Sequence, residues 1–334
     1  HEPAEVPRVV ACDTDAAAEP TRLGLSQKPH DRRAREIVVA RDVDGDGKDE
    51  LVYGAQGYIR YAKPDPANPT GPWVVHTISE LGPWGYLHSI GTGDINGDGH
   101  PDVVVALRND KIKVFLGTGT SEFLHGAQYQ YGDTPTSVAL TDLNGDGKTD
   151  MVVTNGGPMS NAVSIWLGNG DGTFHDPKDY RTGKRPLSVT FADFNNDRNS
   201  DLLVINGERD CFTTFLGNGD ATFQPGKDSG ADAGPIAGIT RDFNGDHILD
   251  VAIANLQSND LSILFGKGDG TFQYPPRNYR TKAGPFAMAT FWVTSKEAEE
   301  PGLVTADNGD GTVSIFLHRG LKSGKAAPSP TSER

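Results

Sequence analysis

Five short acidic loops recur along the chain at nearly constant spacing, and this repetition is the feature that most constrains the fold. Their first residues lie 52, 48, 51 and 49 positions apart. A fixed period near this length is typical of arrays in which one supersecondary unit packs on the next to bury a core. The loops are DVDGDGKDE from Asp42, DINGDGHPD from Asp94, DLNGDGKTD from Asp142, DFNNDRNSD from Asp193 and DFNGDHILD from Asp242.

Short hydrophobic runs surround each loop in the same order. A run such as LSVTFAD precedes the loop, a run such as MVVTNG follows it, and a run such as VSIWLG comes third. A Gly-rich turn such as NGDGTF then leads to a fourth, weaker run. The runs are rich in Val, Ile, Leu and Phe and bounded by Gly, Asn and Asp, which indicates strands. Four strands per unit predict an all-β fold, a β-propeller of four-stranded antiparallel blades.

The number of repeats predicts the number of blades. A sixth unit from Phe286 to His318 keeps three strand runs but has TSKEAEEPG in place of the acidic loop, so we expect a sixth blade without an ion. We favour six blades, with a degenerate seventh blade formed by residues 1–35 as the alternative. We expect three regions: an N-terminal segment 1–35 that closes the ring, a propeller over 36–318, and a flexible Pro/Ser-rich tail over 319–334. The run PRVVACD in the first region is the expected closing strand.

The spacing of oxygen-bearing residues within the loops predicts calcium sites. Ca²⁺ takes about six to eight oxygen ligands, and side chains at positions 1, 3, 5 and 9 with the carbonyl of position 7 can surround one ion. Asx-rich turns without metal are the alternative, but five loops that each keep a carboxylate at position 9 favour metal. The fourth and fifth loops, where Asn196, Arg198 and His247 replace glycines, are expected to bind more weakly. The predicted ligands are Asp42, Asp44, Asp46, Lys48, Glu50, Asp94, Asn96, Asp98, His100, Asp102, Asp142, Asn144, Asp146, Lys148, Asp150, Asp193, Asn195, Asp197, Asn199, Asp201, Asp242, Asn244, Asp246, Ile248 and Asp250.

Charge and composition exclude several classes of protein. The formal net charge of −14 argues against a nucleic-acid partner, because phosphate binding needs clustered Lys and Arg. No apolar run in the sequence is long enough to span a bilayer, and the G-x-S-x-G, H-E-x-x-H and P-loop signatures are absent. Since calcium is plentiful outside cells, we expect a secreted or cell-surface protein, with the periplasm as an alternative. Cys12 and Cys211 are compatible with one disulfide or with two free thiols.

The acidic loops and the turns around them resemble FG-GAP/VCBS repeats. The resemblance also rests on the Gly-x-x-Pro turns GDTP at 132–135 and GKRP at 183–186, and on LGNGDGTF at 167–174, and it covers about residues 36–318. It implies a calcium-bearing propeller like those of integrin α-subunit heads, many secreted bacterial proteins and some fungal lectins. The segment 73–102 is similar to the propeller portion of aldos-2-ulose dehydratase-like proteins, which are sugar-modifying lyases. Because a fold does not determine an activity, the resemblance leaves the function open.

The segment 73–102 also contains candidate site residues of another kind. Trp73, Trp84 and Tyr86 are candidate ligand-binding residues because sugars stack on aromatic faces. His76 and His88 are candidates for a catalytic base or a metal ligand. The alternative, which we favour, is that these side chains fill the interface between blades.

Three functions follow from these observations. The first is an extracellular, non-enzymatic module that binds a glycan or a protein. The second is a carbohydrate lyase or dehydratase that uses the histidines. The third is a subunit of an extracellular assembly, in which the N-terminal strand adds to the last blade of the next copy.

Overall fold

The computed structural model describes residues 38–317 except for 45, 47, 56, 66, 69–72, 81–86, 121, 159, 295–298 and 310. These residues form an all-β, six-bladed β-propeller, which confirms the predicted fold class and the favoured number of blades. Five sheets have four antiparallel strands, and the last sheet has three strands among the described residues. The same residues include no helix that is long and apolar enough to cross a membrane. The predicted closing run, Cys12 and the tail over 319–334 lie outside the described residues.

Each blade is a meander whose strands follow chain order. The strands of blades 1 and 2 are β1 (Val38–Arg41), β2 (Glu50–Ala55), β3 (Tyr58–Lys63), β4 (Val74–Glu80), β5 (Leu87–Gly93), β6 (Asp102–Leu107), β7 (Lys111–Gly117) and β8 (Phe123–Gln130). Those of blades 3 and 4 are β9 (Pro135–Thr141), β10 (Asp150–Asn155), β11 (Ala162–Trp166), β12 (Lys178–Arg181), β13 (Pro186–Ala192), β14 (Asp201–Asn206), β15 (Cys211–Phe215) and β16 (Lys227–Gly230). Those of blades 5 and 6 are β17 (Pro235–Arg241), β18 (Asp250–Asn255), β19 (Asp260–Leu264), β20 (Arg277–Arg280), β21 (Pro285–Thr294), β22 (Glu299–Asp307) and β23 (Thr312–Leu317).

The position of a strand within its blade determines its burial. The first strands β5, β9, β13, β17 and β21 contact one another in succession, which places them on the inside of the ring. The second strands β6, β10, β14 and β18 are buried along their whole length. Neighbouring blades cover both of their faces, which explains their continuous apolar sequences such as DVVVAL and DLLVIN. The fourth strands β12 and β20 are mostly exposed.

The hydrophobic core of the described residues lies between blades rather than inside them. Tyr61 of blade 1 packs in one cluster with Val105 and Phe115 of blade 2. The next cluster joins Val114 of blade 2 to Trp166 of blade 3, and further clusters join the following pairs of blades. A single blade therefore buries its apolar faces only against its neighbours, as the repeat period predicted.

The five acidic sequences connect the first strand of a blade to its second strand. We call them acidic loops 1 to 5, residues 42–50, 94–102, 142–150, 193–201 and 242–250. Because every blade has the same strand order, the five loops lie at the same end of the propeller. The corresponding connection in blade 6 is residues 295–298, with the sequence SKEA, and lies outside the described residues.

Candidate metal centre

Position 1 anchors a tight turn in loops 2 to 5. In loop 2, the main-chain N–H groups of Gly97 and Gly99 donate to the two carboxylate oxygens of Asp94 at 2.7 and 2.9 Å. In loop 4, the N–H of Arg198 donates to Asp193 at 2.8 Å although no glycine is present there. The φ angle of Arg198 is 69°, in the same left-handed region as the 85° of Gly99. The structure thus keeps one turn geometry with and without the glycines. Whether loops 4 and 5 bind more weakly stays a prediction.

Positions 3, 5 and 7 complete the turn through short polar contacts. In loop 2, Asn96 Nδ2 donates to Asp98 Oδ2 at 3.0 Å, and the N–H of His100 donates to Asp98 Oδ1 at 2.8 Å. Loops 3, 4 and 5 contain the same two hydrogen bonds. The predicted ligands at these positions therefore lie on one turn, and an amide donor at position 3 faces the carboxylate at position 5.

The carboxylate at position 9 holds the loop to the sheet, and we call its pair of hydrogen bonds the position-9 clasp. Asp102 is fully buried, and its oxygens accept from the N–H of Ile95 at 2.7 Å and of Gly117 at 2.8 Å. One donor is position 2 of the loop, and the other is the residue that ends or follows the third strand. Asp150, Asp201 and Asp250 make the same pair of bonds with Leu143 and Gly168, Phe194 and Gly217, and Phe243 and Gly266.

The clasp gives the position-9 carboxylate a structural role that sequence reasoning missed. Burial raises the pKa of Asp102, Asp150 and Asp201, and it raises the pKa of Asp250 to about 6. The two N–H donors oppose this effect because they favour the charged form. In loops 2 to 5 both oxygens at position 9 are thus hydrogen-bonded by the chain itself.

Loop 1 lacks half of its clasp. Leu51 pairs with Ala62 in blade 1 as Val103 pairs with Phe115 in blade 2, so Pro64 stands where the clasp glycine stands in the other loops. Proline has no N–H to donate. Glu50 therefore keeps the bond from the N–H of Val43 at 2.9 Å, through Oε2.

The second oxygen of Glu50 is left without a donor. Glu50 is fully buried, and its Oε1 has no hydrogen-bond partner among the described residues. Burial, together with the nearby carboxylates of Asp44, Asp46 and Asp42, raises the pKa of Glu50 to about 7. A buried carboxylate oxygen without a donor is costly, and a bound cation would relieve that cost.

The side chains of loop 1 converge as an ion site requires. Carboxylate oxygens of Asp42, Asp44, Asp46 and Glu50 lie within 4.8 Å of one another. Asp44 Oδ1 is also buried without a partner among the described residues, whereas Asp44 Oδ2 accepts from Lys63 Nζ. An oxygen-only set with two buried oxygens that lack donors fits Ca²⁺, which prefers carboxylate ligands. The residues of loop 1 thus fit the predicted ion.

The two candidate histidines lie on different strands. His76 lies on β4, where its ring stacks on Tyr61 with centroids 4.7 Å apart and planes at 11°. His88 lies on the first strand of blade 2, and its Nδ1 is 2.9 Å from the carbonyl oxygen of Pro135. Trp73 is half-buried just before β4. Trp84 and Tyr86 lie outside the described residues. A catalytic or sugar-binding role for these residues stays a prediction.

Comparison with known proteins identifies the repeats. The model of the FG-GAP-like repeat matches residues 42–105, 94–153 and 142–204. The chain is a β-propeller that contains FG-GAP-like repeats. The matched segments of this FG-GAP propeller contain loops 1 to 4. Loop 5 lies beyond them, although its hydrogen bonds repeat those of loop 3.

Individual relatives are distant. A T-cell immunomodulatory protein homolog of Plasmodium falciparum (isolate 3D7) is 33% identical over 132 residues, which cover 33% of the FG-GAP propeller and 18% of that protein. The chain thus matches less than a fifth of the length of this curated relative. The solved structure of BBS1N in complex with ARL6DN has a TM-score of 0.58 at 13% identity, with 85% of this chain and 81% of that chain covered.

A lectin structure shares the same fold. The Agrocybe aegerita lectin, described as recognising non-reducing terminal N-acetylglucosamine, has a TM-score of 0.51 at 16% identity. The alignment covers 85% of this chain and 71% of the lectin. Identities this low show a common fold and leave the ligand of the FG-GAP propeller open. The resemblance of residues 73–102 to dehydratase-like propellers stays a prediction.

Proposed function

We propose that the protein is an extracellular recognition module that binds calcium and presents its propeller surface to a glycan or a protein. The observation that carries the proposal is loop 1, where four carboxylates converge and Asp44 and Glu50 each have a buried oxygen without a donor. Calcium in this loop would join the first two strands of blade 1 and thereby stabilise the end of the ring. Calcium concentrations outside cells favour such sites.

Thermal unfolding with and without calcium tests the ion. We expect the full chain to melt at a clearly higher temperature in calcium than in excess chelator, because a ligand that binds the folded state stabilises it. The double variant Asp42→Asn/Asp46→Asn should lose part of this difference. Magnesium should not replace calcium, because it demands a smaller octahedral site. Identical melting in calcium and chelator would refute the proposal.

A groove between the outer strands of blades 3 and 4 supports the recognition part of the proposal. It has a volume of about 530 Å³, and its walls include Tyr180, Arg181, Gln224 and Asp228. Arg181, Gln224 and Asp228 are exposed, so their charged and amide groups can meet ligand hydroxyls. Asp228 also accepts a hydrogen bond of 2.6 Å from Thr213 Oγ1, which fixes its carboxylate in the wall of the groove. A mixture of polar groups and an aromatic edge suits a sugar, and the lectin with the same fold is consistent with that choice.

A glycan array tests recognition directly. The full chain is applied in calcium and in chelator, together with the variant Arg181→Ala/Asp228→Asn. We expect a restricted set of glycans to bind in calcium, and the variant to lose that binding while it keeps its melting temperature. A variant that binds the same glycans as the wild type would exclude this groove, and a blank array would redirect the search to protein ligands.

Assembly is a second candidate function, favoured by the last blade. Among the described residues, β23 pairs with β22 on one side and has no partner strand on the other. Ile315 on β23 is 60% exposed, which is unusual for an apolar side chain on such an edge. The edge can accept a strand, and PRVVACD from this chain or from the next copy is the predicted occupant.

The mass of the full chain in solution shows whether the added strand comes from the same chain or from the next copy. Light scattering at increasing concentration should show higher oligomers if the strand comes from the next copy. The variant Ile315→Lys, which places a charge on the edge, should then return the protein to monomer. A wild-type protein that stays monomeric at high concentration rules out the assembly.

A further inference from the structure

Lys63 distinguishes loop 1 from the other acidic loops. The register of blade 1 places Lys63 opposite position 9, where the other loops have a large apolar residue. The corresponding residues are Leu116, Leu167, Leu216 and Phe265. Leu216 and Phe265 are each 8% exposed. Leu116, Leu167 and Lys63 itself are half-buried. A specific partner therefore stabilises a lysine at this position, because burying part of an ammonium group without one is costly.

That partner is the additional carboxylate of loop 1. Position 3 is Asp44 in loop 1, whereas it is an asparagine in the other four loops. Lys63 Nζ donates to Asp44 Oδ2, and the two side chains are 20% and 5% exposed. In loops 2 to 5 the asparagine at position 3 instead donates to the carboxylate at position 5. Loop 1 therefore differs at position 3, where the side chain is a carboxylate that accepts a hydrogen bond from Lys63 of the third strand.

Loops 1 and 2 have the same formal charge when Lys63 is counted with loop 1. Loop 1 has four carboxylates at its predicted side-chain ligand positions, and the ammonium of Lys63 reduces their formal charge from −4 to −3. Loop 2 reaches −3 with three carboxylates at Asp94, Asp98 and Asp102. A divalent cation would leave a formal charge of −1 in both. The positive charge of Lys63 therefore offsets the additional negative charge of Asp44. Asp44 still has one buried oxygen without a partner among the described residues.

We propose that Lys63 is a built-in counter-cation of loop 1, which keeps Asp44 in place before an ion binds and lowers the affinity of the loop for that ion. The proposal rests on the proposed calcium function. Its first consequence is that loop 1 is the acidic loop whose shape in the absence of calcium depends on a side chain outside the loop. Its second consequence is that a unit positive charge close to the ion weakens binding, since like charges repel.

The variant Lys63→Met tests both consequences, because it keeps the length of the side chain and removes its charge. In chelator, we expect it to melt about 2–4 °C below the wild type, since four close carboxylates then lack a counter-charge. In a calcium titration by calorimetry, we expect one site to bind about tenfold more tightly. The variant Asp42→Asn/Asp46→Asn identifies which step of the isotherm belongs to loop 1.

Three further variants serve as controls. Lys113→Met removes a lysine from β7 in blade 2, where it pairs with Val105 and Gln128, and should leave both measurements unchanged. Lys63→Arg keeps the charge and should retain the wild-type affinity. Asp44→Asn/Lys63→Met gives loop 1 the position-3 asparagine of the other loops and should recover the melting temperature in chelator.

The outcomes separate this proposal from the proposed function. Lys63→Met with unchanged affinity and unchanged melting in chelator would overturn the counter-cation role while calcium binding stands. Weaker calcium binding in Lys63→Met would also overturn it, because Lys63 would then support the ion site rather than compete with the ion. If no variant binds calcium, the proposed function and the effect on affinity fall together. The melt in chelator then decides alone whether Lys63 holds Asp44.

Discussion

The main-chain N–H of Gly217 donates a hydrogen bond of 2.8 Å to Oδ1 of Asp201. This bond ties the end of the third strand of blade 4 to the beginning of its second strand, at the base of loop 4. The approach is close enough that a β-carbon on Gly217 would lie 2.4 Å from the carbonyl oxygen of Ser200. The other clasp glycines are equally crowded, with 2.2 Å at Gly117, Gly168 and Gly266.

Replacement of the clasp glycine should therefore destabilise the fold. We expect Gly217→Ala to lower the free energy of unfolding by about 2–3 kcal/mol, because the added methyl group meets rigid backbone. Gly91→Ala is the matched control, since its β-carbon would lie at an ordinary contact distance of 3.4 Å from Leu140. Urea denaturation measures the free energy of unfolding of both variants. Equal losses would contradict the prediction, because they would show that the backbone near Gly217 moves to accommodate the methyl group.

Substitution at position 5 should matter only in calcium, whereas substitution at position 9 of the same loop should matter with and without calcium. Asp201→Asn places an amide N–H against one of the two clasp donors, so we expect a loss of about 2–3 kcal/mol in both calcium and chelator. Asp197 is exposed, so Asp197→Asn should cost less than about 0.5 kcal/mol in chelator and weaken only the stabilisation by calcium. Thermal unfolding in both conditions compares them. A loss that appears for Asp201→Asn in calcium alone would contradict the clasp.

The stability of the metal-free protein should fall as the pH rises. The pKa of Glu50 is about 7 in the folded chain, against an ordinary value of 4.5, so the folded state binds the proton more tightly than the unfolded state. This contribution is fully present below about pH 4.5 and is lost as the pH rises through about 7, to a total of up to about 3 kcal/mol. Urea denaturation in chelator across this range measures it. Asp250, whose pKa is raised to about 6, contributes to the slope in part of the same range. The variant Glu50→Gln should make the profile less steep and leave that contribution, and an equally steep profile in the variant would contradict the assignment.

Glycine at the left-handed positions of loops 4 and 5 should stabilise the protein. Arg198 and His247 have φ angles of 69° and 64° and are exposed, so their side chains add strain without burial. We expect Arg198→Gly and His247→Gly each to raise the free energy of unfolding by about 0.5–1 kcal/mol. Gly147→Ala, at a φ of 81° with open space around it, should lower it by a similar amount. If the substitutions to glycine and the substitution Gly147→Ala changed the free energy of unfolding in the same direction, the account would be contradicted.

Much of the fold was predictable because the repeat period and the hydrophobic runs report local structure. The hydrophobic run of β14 predicted a strand, and the acidic sequence from Asp193 to Asp201 predicted a loop between two strands. The clasp was not predictable from the loop alone. Its second donor, Gly217, lies 16 residues from Asp201 and meets it only through the strand register.

The missing clasp donor of loop 1 can be recognised in the sequence once the strand register is known. The end of the third strand reads YAKPD in blade 1 and IWLGNGD in blade 3, so Lys63 and Pro64 replace a leucine and the clasp glycine. Spacing within the acidic loops cannot show this, because both residues lie outside them. The burial of Glu50 is likewise a property of the packed ring rather than of the loop.

The position-9 clasp also predicts which mutations this chain tolerates. Blades 2 to 5 close their loops with backbone donors, so substitutions at positions 1, 3 and 5 can abolish an ion site there and still leave a folded blade. Blade 1 should tolerate fewer such changes, because Pro64 has no N–H and the second oxygen of Glu50 therefore lacks a backbone donor. A library of random variants selected only for folding should therefore accumulate changes in the exposed positions of loops 2 to 5, accumulate fewer in loop 1, and remain nearly fixed at the four clasp glycines.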